Sequence, residues 1–542
     1  MRFHTTIKLA VILIGIVLYY FYIDLPAEKK KTEEKERSEK ILLFNPEDVK
    51  EFSLIKINET FSLKRGDNGQ WEIVQPINVK ADPQTVSDLI SQIENARFTR
   101  IVDESPADLS TYGLENPSLK FLIKLKDQTE KTLLFGDESP IGSSIYVKLD
   151  DDNRVVLSPN FRRSINKSLY DLRDKTILDF ATDEVSSFEI QRQDLGLQFK
   201  RDKNNWNIQV DNSIYKGDST AIQSFLNAVR NARVASFVDE NPMDLQTFGL
   251  DSAAIHLTIH KGEKDEPLTL LIGDQNKEFG YYAKMGVNKN VVLLNNEIIA
   301  KLSQNLSDFR DKTLFEFKKE QIAEVHLTSA DEEIWIKRGE DENNPWKIIK
   351  PLQTPADKTT LNNLFIDLKN LRAHLFLDNP IEDTKHYGIE DSKKQLILTS
   401  EEGQSFKLTI GNMTNDQKYV FASRESDSSI FLLEKDKIEK IFPTLHRLRN
   451  KKLLSFKMED VERILIEYPD QTFELQKKES DWNLLKPQVI KKIKPFIGQD
   501  TVWTLNNLSF ESIVEESVEP GVTGLDQPTV KVSLWEKGSK KP

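Results

Sequence analysis

Apolar residues recur along this chain with two periods that take turns. Over 51–57, 61–65 and 71–75 they alternate with polar ones, which predicts three short strands, with Gly66-Asp67-Asn68-Gly69 as a turn. At Asp82-Pro83 the period changes: Val86, Leu89, Ile90 and Ile93 follow at i, i+3, i+4 and i+7, the stripe of a helix capped by Asp82 with proline in its first turn. After a Tyr112-Gly113-Leu114 turn, alternation resumes over 119–125, 132–135, 144–148 and 155–158, and a last helix is expected over 160–171.

The same succession then repeats. Leu172-Arg173-Asp174-Lys175-Thr176-Ile177-Leu178-Asp179-Phe180 returns as Phe309-Arg310-Asp311-Lys312-Thr313-Leu314-Phe315-Glu316-Phe317 and as Leu448-Arg449-Asn450-Lys451-Lys452-Leu453-Leu454-Ser455-Phe456. With Phe44 added, the terminal phenylalanines are spaced 180 − 44 = 136, 317 − 180 = 137 and 456 − 317 = 139. Gly113, Gly249, Gly388 and Gly524 keep this spacing, as do Trp71, Trp206, Trp346 and Trp482. The helix stripe recurs as Ile222, Phe225, Leu226, Val229 and as Leu361, Leu364, Phe365, Leu368. A unit of this length is an ordinary domain able to bury its own core, and is too long for a solenoid motif. The expected fold is α+β: tandem repeats of a mostly antiparallel sheet with two helices each.

The expected organisation is a short tail (1–8), a transmembrane anchor (9–24), a charged stalk (25–40), repeats 1 to 3 (41–179, 180–316, 317–455) and a partial repeat 4 (456–542). Leu9 to Ile23 is apolar or aromatic apart from Gly15, and the cluster Tyr19, Tyr20, Tyr22 suits an interfacial belt. The flanking lysines and arginines, two before and six in 27–40, read literally keep the bulk in the cytoplasm, but long domains translocate largely regardless of flanking charge. Export is the expectation adopted, with the bulk periplasmic. Glu and Lys alternate through the stalk without an apolar face, which makes it a solvated spacer. No flexible linker separates the repeats, so neighbours are expected to hold a fixed angle and to build a rod. Repeat 4 lacks the last strands and closing helix, leaving a sheet edge for a partner strand or a second copy.

Composition narrows the chemistry. The chain has no cysteine, which excludes disulfides, thiolate catalysis and sulfur-ligated metals, and its formal charge of −12 argues against nucleic-acid binding. His256 and His260 share a strand face about 13 Å apart, too far for one metal ion, and the other five histidines show no arrangement that marks a site. The four periodic tryptophans sit among apolar neighbours and read as core. Asp150-Asp151-Asp152 and Asp331-Glu332-Glu333 lack the glycine and spacing of a calcium loop. The recurring polar set Arg173, Asp174, Lys175; Arg310, Asp311, Lys312; Arg449, Asn450, Lys451 admits two readings: an anion-binding pair of cations, or an inter-repeat junction in which cations favour a helix C-terminus and the short acid holds a turn. The junction is preferred, because every joint would need it. No catalytic, cofactor or metal residue is assigned.

The membrane segment, the strand run ending in Trp71 and Pro76, "YGLENP" at Tyr112 to Pro117, "LLFGDESP" at Leu133 to Pro140 and "LRDKTILDF" at Leu172 to Phe180 together resemble the bacterial family called domain of unknown function 4340. The resemblance spans 41–542. It implies a single-anchor envelope protein of the inner membrane, accessory to a gliding-motility-type ABC transporter, with no assigned active site. The expected function is thus a non-enzymatic scaffold or interaction protein with a transporter or envelope component as partner. The alternative is a periplasmic module that binds glycan or peptide in clefts between repeats.

Overall fold

The computed structural model describes residues 13, 18–25, 37–140, 142–149, 151–193, 195–262, 265–277, 280–286, 288–330, 332–340, 345–377, 385–425, 429–512 and 520–542. Among them no helix is long and apolar enough to cross a membrane. Most of the expected anchor (9–24), the tail 1–8, the stalk over 26–36, Asp150 and Asp331 lie outside the described residues. The chain falls into two units, 1–304 and 305–542.

Repeat 1 sets the pattern. Its strands are β1 (Val49–Lys56), β2 (Thr60–Arg65), β3 (Trp71–Gln75), β4 (Val79–Lys80), β5 (Arg100–Asp103), β6 (Leu119–Leu125), β7 (Glu130–Glu138), β8 (Ser144–Leu149) and β9 (Val155–Pro159). They form one sheet in the order β4-β3-β2-β1-β6-β7-β8-β9-β5, with every neighbour antiparallel. Two meanders are thereby joined at β1 and β6. Nine-stranded sheets of the same order recur over Ser187–Leu294 and Ile322–Glu434. A sheet of four strands follows, in the order Asp481–Lys486, Thr472–Lys478, Val461–Glu467, Lys531–Glu536.

Alternation in the strands on the β1 side of each sheet puts one face under helices, while β7 and β9 carry continuous buried runs covered on both faces. In repeat 1, Phe52, Leu54, Phe61, Leu63, Ile73, Phe121 and Phe135 meet Val86, Leu89, Ile90 and Ile93 of α1 (Pro83–Glu94) in a single core. Each such side chain, fully buried, contributes about 1.5–3 kcal/mol of transfer free energy. Asp82 caps α1 by accepting from Thr85 N at 2.7 Å, and Asp218 and Asp357 do the same for α4 (Ser219–Asn231) and α7 (Lys358–Lys369). On the opposite face a smaller cluster, Leu114, Leu134 and Val155 with Tyr112 and Tyr146, lies beneath the Tyr-Gly-Leu turn. That turn requires Gly113, whose φ is +66°, and the strand beneath it requires Gly136 of β7, where a Cβ would lie 2.1 Å from Tyr112 O.

The second helix expected over 160–171 is two single turns instead, α2 (Arg162–Ile165) and α3 (Leu169–Leu172). Asn166 leaves the helical region at ψ 68°, and Ser168 opens a new capping box with Asp171. The later closing pairs are α5 (Asn296–Leu302) with α6 (Leu306–Phe309) and α8 (Lys435–Ile441) with α9 (Leu445–Leu448). The last long helix is α10 (Pro495–Asn506).

Candidate functional site: the recurring joint

Each recurring phrase begins where a one-turn helix ends. Arg173, Arg310 and Arg449 follow α3, α6 and α9 in extended conformation, with ψ of 146°, 143° and 140°. The extended chain then pairs at both ends. Arg173 faces Ala81, Asp82 N donates to Leu172 O at 2.8 Å, and Asp174 N donates to Lys80 O at 3.0 Å. Two residues on, Thr176 faces Arg233 and Val234 N donates to Lys175 O at 2.9 Å. The phrase is therefore a short strand shared between the start of the long helix in repeat 1 and the segment leaving the long helix in repeat 2. The third phrase repeats this with Ala356 opposite Arg449 and Lys452 opposite Ser509. Within 305–542 the second phrase pairs Thr313 with Arg372.

The middle residue holds the bend. Asp174 Oδ1 accepts from Thr176 N at 2.9 Å, Asp311 Oδ1 from Thr313 N at 2.9 Å, and Asn450 Oδ1 from Lys452 N at 3.0 Å. A short side-chain acceptor two residues before the donor is the side-chain version of a backbone turn, which Asp and Asn supply equally.

The arginines are spent inside the protein. Arg173 is 4% exposed, its guanidinium carbon 3.4 Å from the centre of the Phe237 ring; Nη2 donates to Glu240 Oε2 at 3.1 Å, and Nη1 pairs with Oε1. Arg310, equally buried, lies 3.8 Å from Phe376 and donates to Ser429 Oγ at 3.1 Å. Arg449 is half-buried and 5.8 Å from Phe510, with its buried Nε lacking a hydrogen-bond partner. A permanently charged planar group suits such a place, since it stacks on the ring and keeps its in-plane donors for oxygen.

Of the three lysines, Lys175 closes the end of its helix, and the other two find partners elsewhere at the joint. Lys175 Nζ donates to Asp171 O at 2.9 Å and Arg173 O at 3.0 Å, Lys312 Nζ donates to His374 O at 3.1 Å, and Lys451 Nζ is 2.7 Å from His446 Nε2. Asp171, in the box that starts α3, has its carboxyl held below the usual carboxylate range, first by the Ser168 backbone N–H and then by the Ser168 hydroxyl.

The phenylalanines lie outside the recurring phrase. Their signal is an aromatic at a nearly constant distance after each arginine: 237 − 173 = 64, 376 − 310 = 66 and 510 − 449 = 61. Glu240 and Ser429 carry no such signal.

Of the other candidates, His256 is exposed and His260 half-buried on Ile255–His260. His326 Nε2 is 3.0 Å from Glu333 Oε1, and His374 stacks on Tyr419 with ring centres 4.3 Å apart. Among the described residues, no three His, Asp or Glu side chains group to hold a metal ion. Trp206, Trp346 and Trp482 are buried, and Trp71 is half-buried against Phe52. A cleft of about 400 Å³ beside Lys312 is lined by Arg372, His374, Glu434, Lys437 and Lys440. Its lining does not recur, since Ala235, Asn295 and Ile298 stand in repeat 2 where His374, Glu434 and Lys437 stand in repeat 3.

The family model described as domain of unknown function (DUF4340) matches residues 71–238, 210–345 and 346–528. No curated protein matches the chain. A solved structure, the DNA polymerase sliding clamp from Pseudomonas aeruginosa with ligand, aligns over 74% of this chain and 94% of its own at 8% identity and a TM-score of 0.13, too low for that likeness to carry any argument.

Proposed function

Because the chain belongs to the DUF4340 family of domains of unknown function, we propose that it is a non-enzymatic scaffold or interaction protein of the bacterial cell envelope. In this reading it is anchored by residues 9–24, with its bulk in the periplasm, and is accessory to an ABC-type transporter. Support comes from how the recurring polar residues are used. Arg173 and Arg310 are buried against rings, and Asp174, Asp311 and Asn450 are engaged in turns. A duplicated unit whose repeated polar residues serve its joints fits a protein that spaces and presents surfaces, whereas function in an enzyme is carried by a site.

The test is mild cross-linking in intact cells, followed by capture of the full chain and identification of what comes with it. Recovery of transporter or envelope components is the expected result. Recovery of neither, or digestion of the repeats only after the inner membrane is breached, would overturn the reading.

A further inference from the structure

Repeat 4 puts its apolar bulk in a different place from the other repeats. The four positions that face the sheet in α1, α4 and α7 are all large and apolar, whereas in α10 they are Gly498, Thr501, Val502 and Leu505. A Cβ at Gly498 would lie 2.2 Å from the Trp482 ring, which takes up that space. On the outward side the order is reversed. The two positions opposite the core stripe are Gln84 and Ser91 in α1, Thr220 and Asn227 in α4, and Thr359 and Ile366 in α7. In α10 they are Phe496 and Trp503, 54% and 60% exposed, on one face at a spacing of seven.

The helix start changes in the same direction. Asp82, Asp218 and Asp357 cap the first three long helices, but Lys494 occupies that place in α10 and makes no side-chain cap. A cation there opposes the helix dipole and forfeits a favourable hydrogen bond. Lys486 at the end of the preceding strand and Lys491 and Lys492 in the loop after it lie around Val489 and Ile490, which are 68% and 41% exposed. Lys486 and Lys492 lie 3.3 Å and 3.1 Å from carboxylates of Glu474 and Asp481. Lys491 and Lys494 have no carboxylate partner among the described residues. Two of the four core positions, 498 and 501, have lost their apolar bulk, the outward positions on either side of Asp500 are filled with aromatics, and the capping acid is exchanged for a base. Departures from local rules that all point one way mark a functional surface.

We propose that α10 and the loop 486–494 form a docking surface for an anionic phospholipid bilayer. Trp503, with its polar indole N–H, and the apolar Phe496 seat at the boundary between headgroups and acyl chains, and the lysines meet the anionic headgroups. The chemistry favours lipid over an acidic protein. Protein interfaces are poor in lysine and rich in arginine, and their aromatic anchors fill pockets. Here every cation is lysine and the rings protrude. The proposal uses no residue of 1–40 and is independent of the role argued for the joints.

The absence of cysteine makes the test direct, because Gln499→Cys on the exposed face of α10 gives the full chain one labelling position. With an environment-sensitive probe there, vesicles of phosphatidylcholine with about one-third phosphatidylglycerol should shift the emission and expose the probe to a lipid-phase quencher. Vesicles of phosphatidylcholine alone should not, and added salt should reverse the change. Each lysine near an anionic surface strengthens partition about fivefold, so replacing Lys491, Lys492 and Lys494 together by Gln weakens the partition of α10, read at position 499 and not from the binding of the whole chain, about a hundredfold. Phe496→Gln with Trp503→Ser should abolish quenching while circular dichroism shows an unchanged fold, and a probe at Asn363→Cys on α7 should stay silent. The proposal is overturned if neutral vesicles act equally, if the α7 probe responds alike, or if the lysine variant partitions as before. Protection of position 499 by an acidic protein, without any response to vesicles, would overturn it in favour of a protein partner.

Discussion

At the first joint Arg173 is 4% exposed, 3.4 Å from the Phe237 ring and paired with Glu240, whereas at the third Arg449 is half-buried, 5.8 Å from Phe510, with one buried nitrogen unpartnered. The backbone around the two is nearly the same. Both phrases bridge back to the residue before a long helix's capping position and forward to the segment after the next long helix, and both bend about a side-chain acceptor. Geometry at a joint is therefore set by backbone pairing and the turn, while the grip of the arginine on its ring is a separate and adjustable quantity.

Removing the grip should expose this difference most. Arg173→Ala discards a desolvated cation–π contact and a two-pronged pair with Glu240, and should lower the free energy of local opening by about 3 kcal/mol. Arg449→Ala should cost less than about 1 kcal/mol. Hydrogen exchange at the amides of Val234 and Phe510, which donate across the two joints, measures each opening in place. Equal losses would show that the distances to the rings are irrelevant to how firmly the joints hold.

Smaller changes separate ring from turn. Phe237→Leu keeps an apolar side chain but removes the ring, and should cost about 1 kcal/mol against a few tenths for Phe510→Leu. By contrast Asp174→Ala and Asn450→Ala delete one turn hydrogen bond each, and should cost a similar amount, about 1 kcal/mol, at both joints. A large disparity in the second pair would mean that the turns, and not the rings, distinguish the joints.

The sequence carried the architecture well because alternation and the helix stripe are properties of single elements. Phe52, Leu54, Val86 and Leu89 declare their faces locally, and the core of repeat 1 holds all of them. The closing helix was harder to read. Its split into α2 and α3 depends on Asn166 leaving the helical region, and Ser168 with Asp171 is a capping pair that can sit inside a longer helical pattern without being noticed. At the joint, the residue types of the recurring phrase were legible and their partners were not. Arg173 and Phe237 are 64 residues apart and meet only because a strand is shared across the repeat boundary. The outward aromatics of α10 were also in plain view, at Phe496 and Trp503. They pass as an ordinary apolar stripe until Gly498 and Trp482 show which side of the helix is the core.

Acid should also separate the joints, by a smaller margin. The helix before Arg173 starts with a box in which Ser168 N and Oγ donate to Asp171, whereas the helix before Arg449 has Thr444 at its start, no side-chain cap and Arg447 in place of the acid. The Asp171 carboxyl is depressed by those hydrogen bonds, which bind the ionised form. In the unfolded chain the same group titrates near its ordinary value of about 3.9. Folding gains from the ionised form above that value, and the gain is lost as pH falls from there through the depressed folded one. Between pH about 4 and the folded value, opening of α3, followed at the amides of Leu172 and Arg173 and corrected for intrinsic exchange, should become more frequent relative to opening of α9, followed at Leu448 and Arg449. Ser168→Ala removes the hydroxyl's share and keeps the backbone N–H, so it should weaken that dependence in α3 and leave α9 untouched. If the two helices open in parallel as acid is added, the box contributes nothing specific to the first joint, and the contrast rests on the rings alone.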